Sequence, residues 1–138
     1  MAEILLRRAR SESGLTLLEL LIVLIFMAIL IAIAVPAYLK FTQRANDSAA
    51  AANLRAVLPA VAAFKADNDD TSGYAQLDIA TLKSTYDNGI VGWNASNGTG
   101  VTVLSKSAET YCIESVAGGS VYYQPGPGQP IAASPSCT

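Results

Sequence analysis

A chain of 138 residues has room for one domain of ordinary size, and 11 acidic against 9 basic residues leave no positive surplus for a nucleic-acid partner. Histidine is absent, which removes the usual general base and the commonest metal ligand. Ser107, Glu109 and Asp87 offer no set of nucleophile, base and orienting group, so composition argues against an enzyme and against a resident cofactor or metal.

The 51% hydrophobic content overstates the core, because much of it lies in one opening segment. Arg7, Arg8 and Arg10 precede that segment and read as its cytoplasmic flank. From Leu15 to Val35 the only polar residues are Thr16 and Glu19. At ~1.5 Å per residue a helix of this length spans the ~30 Å of a bilayer's hydrocarbon core. Glu19 raises a question, since a carboxylate is a costly residue to place at the start of a lipid-bound helix. One answer is a carboxylate snorkelling to the membrane edge. Pro36 lacks an N–H and is expected to kink or interrupt the helix.

Beyond Pro36, Tyr38, Phe41, Ala45, Ala49 and Ala52 recur at helical spacing, followed by a stripe of Leu54, Val57, Leu58, Val61 and Phe64. This predicts an amphipathic helix lying on a soluble core, with Pro59 arguing for a second kink or a restart. Tyr38, Phe41 and Phe64 read as packing residues rather than an electron path. The polar run from Lys65 to Gly73 ends the helix, and its Asp67, Asp69 and Asp70 miss the EF-hand spacing and read as a solvated turn.

A short helical stretch follows around Asp78 to Ser84, closed by Asn88-Gly89. The runs IVGWN, VTVLS, TYCIESVA and SVYYQ are β-prone, and the turn signals between them predict an antiparallel meander of about three or four strands. Tyr122 and Tyr123 then face opposite sides of one strand, one toward the core and one toward solvent. The tail PGPGQPIAASPSCT is too rich in Pro and Gly to continue a sheet. Cys112 and Cys137, in a chain with an export-like start, read as one disulfide tying that tail down, worth about 3 kcal/mol in the chain-entropy model. Asn46-Asp47-Ser48, Asn94-Ala95-Ser96 and Asn97-Gly98-Thr99 match a glycosylation triplet, but the last two read as turn chemistry.

The segment RRARSESGLTLLELLIVLIF resembles the start of the type IV prepilin family. Gly14 stands where a basic leader ends, an apolar Leu15 follows, and Glu19 lies five positions beyond the glycine, ahead of an uninterrupted apolar run closed by Pro36. The sequence departs from the commonest pattern in two places, with Leu15 for a phenylalanine and a Ser-Gly leader end. The resemblance implies a leader of residues 1–14 removed by a membrane peptidase, with Leu15 then N-methylated. Thr16, Glu19 and Pro36 become assembly residues, the glutamate pairing with the freed amine of a neighbouring copy. It also implies an α+β fold: a filament-core helix over 15–36, an amphipathic helix over 37–68, and a sheet domain over 69–138 with a disulfide-tied tail.

The expected role is structural. The subunit is held in the cytoplasmic membrane by one pass with its N-terminus inside, then assembled with copies of itself into a cell-surface pilus. Implied partners are the prepilin peptidase and methyltransferase, membrane lipid, and an assembly platform with ATPases. A pseudopilin of a secretion or DNA-uptake system is the alternative within the family. Outside it stand a plain membrane anchor and a secreted binding protein, the latter with an ordinary signal cut after Ala32-Ile33-Ala34 or Val35-Pro36-Ala37.

Overall fold

The computed structural model describes residues 14–69, 72–133 and 137. The arginine flank, most of the leader and Asp70 lie outside these residues. The chain divides into two compact units, one running to Leu39 and one from Lys40 onward. A single helix, α1 (Leu17–Asn68), supplies nearly all the described residues of the first unit and the opening of the second. It stays helical through Pro36 and Pro59. Each proline removes the donor for one carbonyl, that of Ala32 or Arg55, without ending the helix. The interruption expected at Pro36 is therefore not seen.

In the first unit every described residue is exposed. The leucines, isoleucines and alanines there form a good helix but no core.

The second unit is built the usual way, with an amphipathic helix on a sheet. Residues 40–68 of α1 bury Ala50, Ala51, Leu54, Val57, Ala60, Val61 and Phe64, spaced at three and four. Full burial of a Leu, Val or Phe side chain contributes about 1.5–3 kcal/mol. Ala45, Ala49, Ala52 and Phe41, expected on the packed side, are exposed instead. Alanine carries too little apolar surface to choose a face; the branched residues Leu54, Val57 and Val61 choose it. Tyr38 is likewise exposed, so of the three aromatics only Phe64 packs, edge-to-face on Tyr86.

After Asn68 a turn leads to α2 (Ile79–Thr85), where Asp78 is the N-cap and its Oδ2 accepts from the N–H of Ala80 and Thr81. Ile79 and Leu82 enter the core beside Tyr74, Leu77 and Ile90. The IVGWN run does not form a strand. It makes isolated bridges, Gly92 with Val101 and Asn94 with Thr99. Glycine at 100 allows the first, because a Cβ there would strike the Gly92 carbonyl.

Three antiparallel strands form the sheet in the order β1 (Gly100–Lys106), β2 (Tyr111–Ala117), β3 (Ser120–Gly126). β2 is central, and its Tyr111 and Ile113 point into the core with Val101 of β1. On β3, Tyr122 packs against that core, while Tyr123 lies on the other face beside Glu114 and is half-buried rather than open. The β2–β3 loop is Gly118-Gly119, both with positive φ, as a two-residue hairpin of the type I′ kind requires. α1 grips this hairpin: Asn46 Nδ2 donates to the Gly118 carbonyl at 3.0 Å and Gln43 Nε2 to Ser120 Oγ at 2.9 Å.

The tail is less irregular than its composition suggests. β3 itself includes Pro125, tolerated because β3 is an edge strand. Ala132 then pairs with Tyr123 through reciprocal backbone bonds of 3.0 and 2.8 Å. Gln124 Nε2 donates to the Gln129 carbonyl at 2.6 Å, and Cys137 is bonded to the buried Cys112 with Cα atoms 5.7 Å apart.

Candidate assembly site

The first turn of α1 answers the question that Glu19 raises. Thr16 precedes the first helical residue, and Glu19 is the third residue of the helix. The carboxylate Oε2 accepts from the Thr16 backbone N–H at 3.1 Å and from Thr16 Oγ1 at 3.0 Å. In return Thr16 Oγ1 accepts from the Glu19 N–H at 3.2 Å. This is a capping box, in which two N–H groups that the helix start leaves without partners are satisfied reciprocally. The negative charge also sits at the positive end of the helix dipole.

The box is legible as Thr16-Leu17-Leu18-Glu19, a Thr-x-x-Glu ahead of an apolar run, a local link that the assembly role expected of both residues does not itself imply. The two are thus joined within one copy. Gly14 and Leu15 lie just outside the box and are exposed. Among the described residues, a Cβ placed on Gly14 meets nothing within 4 Å, so no packing among them requires glycine there. Pro36 lies far along the same helix, in a stretch that is exposed throughout.

The other singled-out residues serve local structure. Asp67 Oδ2 accepts from the Tyr86 hydroxyl at 2.8 Å, and Asp69 pairs with Lys65 at 2.5 Å. The hydrogen bond to Asp69 raises the Lys65 pKa, and the bond to Asp67 raises that of Tyr86. Burial, aided by the neighbouring Tyr74, raises that of Tyr111. Asn94 Oδ1 accepts from the Ser96 N–H, and Asn97 Oδ1 from both the N–H and hydroxyl of Thr99, so both triplets are Asx turns. No group of three metal-ligating side chains occurs among the described residues.

What the geometry offers, then, is an apolar helix with a capped, carboxylate-bearing start, followed by a separately cored α+β unit. It is long and apolar enough to cross a membrane. No family model matches the chain. Over 116 residues it is 35% identical to the type IV wide pilus major component PilA4 of Thermus thermophilus, covering 83% of this chain and 81% of that protein. Over 62 residues it is 42% identical to the type IV major pilin protein PilA of Myxococcus xanthus, covering 45% of this chain and 28% of that one. The likeness to the Thermus protein extends over most of both chains, and by it this chain belongs to the type IV pilin family.

Proposed function

We propose that the chain is a structural subunit of a type IV pilus, assembled with copies of itself after cleavage between Gly14 and Leu15 and N-methylation of Leu15. The observation that carries this reading is the exposure of every described residue up to Leu39 in a helix of high hydropathy. Such a surface needs an apolar surrounding that the chain does not itself provide. Lipid supplies it first, with Arg7, Arg8 and Arg10 holding the N-terminus on the cytoplasmic side. Other copies supply it afterwards. Lipid and packed helices are similarly apolar, so the transfer between them need not be strongly uphill. The relative from Thermus is named as a pilus major component, which agrees with this role.

The capping box refines the part played by Glu19. Its bonds involve only Thr16 and Glu19, so removal of residues 1–14 leaves them in place. Cleavage adds a positive amine at Leu15, and in a filament the capped carboxylate of one copy faces the amine of the next. A buried charge must be paired, so this contact favours one stagger over others. Gly14, which the fold itself does not require, answers to the peptidase that cuts beside it. The platform and ATPases act on the assembled helix from the cytoplasmic side.

Along residues 45–56 the outward face of α1 carries Ala45, Ala49, Ala52 and Ala56, all exposed. Small side chains let a second helix approach closely.

Intact mass and N-terminal sequencing of the mature protein test the processing. A start at Leu15 with one added methyl is expected. A start at Val35 or Tyr38 would mark an ordinary secretory signal and end the pilin reading of the N-terminus.

A further inference from the structure

Beyond residue 41, the large apolar side chains left exposed are Val91, Trp93 and Leu104. Trp93 and Leu104 line one groove of about 530 Å³ between α2 and β1, and Val91 lies beside it, its carbonyl bonded to Val101 of β1. That volume is in the range of about 300–1,000 Å³ usual for small-ligand sites.

Beside the apolar Leu77, Ile79, Val101 and Val103, the lining carries polar side chains that are short of partners. Thr102, Ser105 and Lys83 make no side-chain hydrogen bond or ion pair among the described residues, nor does the Trp93 indole N–H. Lys106 Nζ donates one bond to the Leu77 carbonyl at 2.8 Å, and an ammonium has two more N–H groups to give. The carboxylate that lines the groove, Asp78, already caps α2. Two lysines against one engaged aspartate make the groove locally positive in a chain of net charge −2.

We propose that this groove binds an acidic saccharide. A pyranose ring has one face of C–H groups and an edge of hydroxyls. The half-exposed indole of Trp93 offers an apolar plane for the face. Thr102 and Ser105 offer hydroxyls for the edge, and Lys83 and Lys106 offer charge-assisted bonds to a sugar carboxylate. A neutral or purely apolar occupant leaves the charge of both ammonium groups without a counter-charge from the ligand. A peptide added to the free edge of β1 would meet Lys106, a residue type that blocks edge pairing. The inference does not depend on the pilus reading.

Trp93 is the chain's only tryptophan, so its emission reports on the groove directly. The full chain in detergent micelles is titrated with tetragalacturonate and, separately, with maltotetraose. A saturable change in Trp93 emission with the acidic sugar is expected, with at least about tenfold weaker binding of the neutral one. Lys83→Ala should weaken tetragalacturonate about tenfold without altering thermal unfolding, and Trp93→Ala should abolish binding by calorimetry. No saturable response, equal affinity for the two sugars, or an unaffected Lys83→Ala each overturns the proposal. So does an emission shift on filament formation without sugar that removes the response, since a second copy would then fill the groove.

Discussion

The two halves of α1 share residue types and helical geometry but meet different surroundings. From Lys40 on, branched side chains at positions 54, 57 and 61 find a sheet, and each is almost fully buried. Before Leu39 the same kinds of side chain are exposed on every face. The second half is thus stabilised by contacts inside the chain, the first by contacts the chain must find elsewhere. A single hydropathy profile along the helix does not show this division. What separates the halves is whether the apolar residues form one stripe or surround the axis.

The sharpest way to break the comparison is one substitution made in both halves. Leu54→Ala empties a site in the core and should destabilise the sheet unit by about 2–5 kcal/mol. Leu24→Ala removes the same atoms from an exposed position and should leave that unit's stability within about 0.5 kcal/mol. Thermal unfolding of the full chain in micelles, followed through Trp93, reads both. Equal losses would mean that the halves fold as one cooperative body.

Next in size is the disulfide. Replacing Cys112 and Cys137 by Ser opens a loop with a sequence separation of 25 and should cost about 3 kcal/mol. The loss should appear as a lower denaturant midpoint of the sheet unit, with helical content before Leu39 unchanged.

The smallest expected effect is alkaline. Lys65, Tyr86 and Tyr111 have pKa values raised in the folded chain. Their contribution is therefore complete below the unfolded values of about 10 and is lost as pH rises through the folded ones. Stability of the sheet unit should stay level from pH 7 to about 9 and fall above about 10. Asp67→Asn, which weakens the acceptor of the Tyr86 hydroxyl, should make that fall shallower.

Much of this was legible in the sequence, for reasons that residues make clear. The stripe of Leu54, Val57, Val61 and Phe64 has the period of a helix and enough apolar area to choose its face, and it is buried as expected. VTVLS, TYCIESVA and SVYYQ are β-branched or aromatic and flanked by turns, and all three are strands. IVGWN has similar propensity, yet it makes only isolated bridges, Gly92 to Val101 and Asn94 to Thr99, a tertiary outcome that propensity does not encode. The alanines at 45, 49 and 52 misled because alanine fits either face of a helix. The pattern running on past Pro36 is consistent with one long helix from Leu15 to about Asn68, and the helix is continuous through Pro36 and Pro59, because an interior proline lowers a helix's stability without forbidding it. At the N-terminus the capping box stands in the sequence as Thr16-x-x-Glu19, and the carboxylate that a membrane helix makes conspicuous has its partner three residues away in Thr16.

The central claim is that Glu19 does two separable things: it caps its own helix and it supplies a charge to a neighbour. Glu19→Gln separates them, since a glutamine side chain can still accept from Thr16 while carrying no charge. The most direct measurement is electron microscopy of filaments from cells expressing that variant, alongside intact mass of the subunit. The account predicts normal processing at Leu15, a normally folded sheet unit and loss of filaments. Normal filaments from Glu19→Gln would contradict it and leave the carboxylate with its capping role alone.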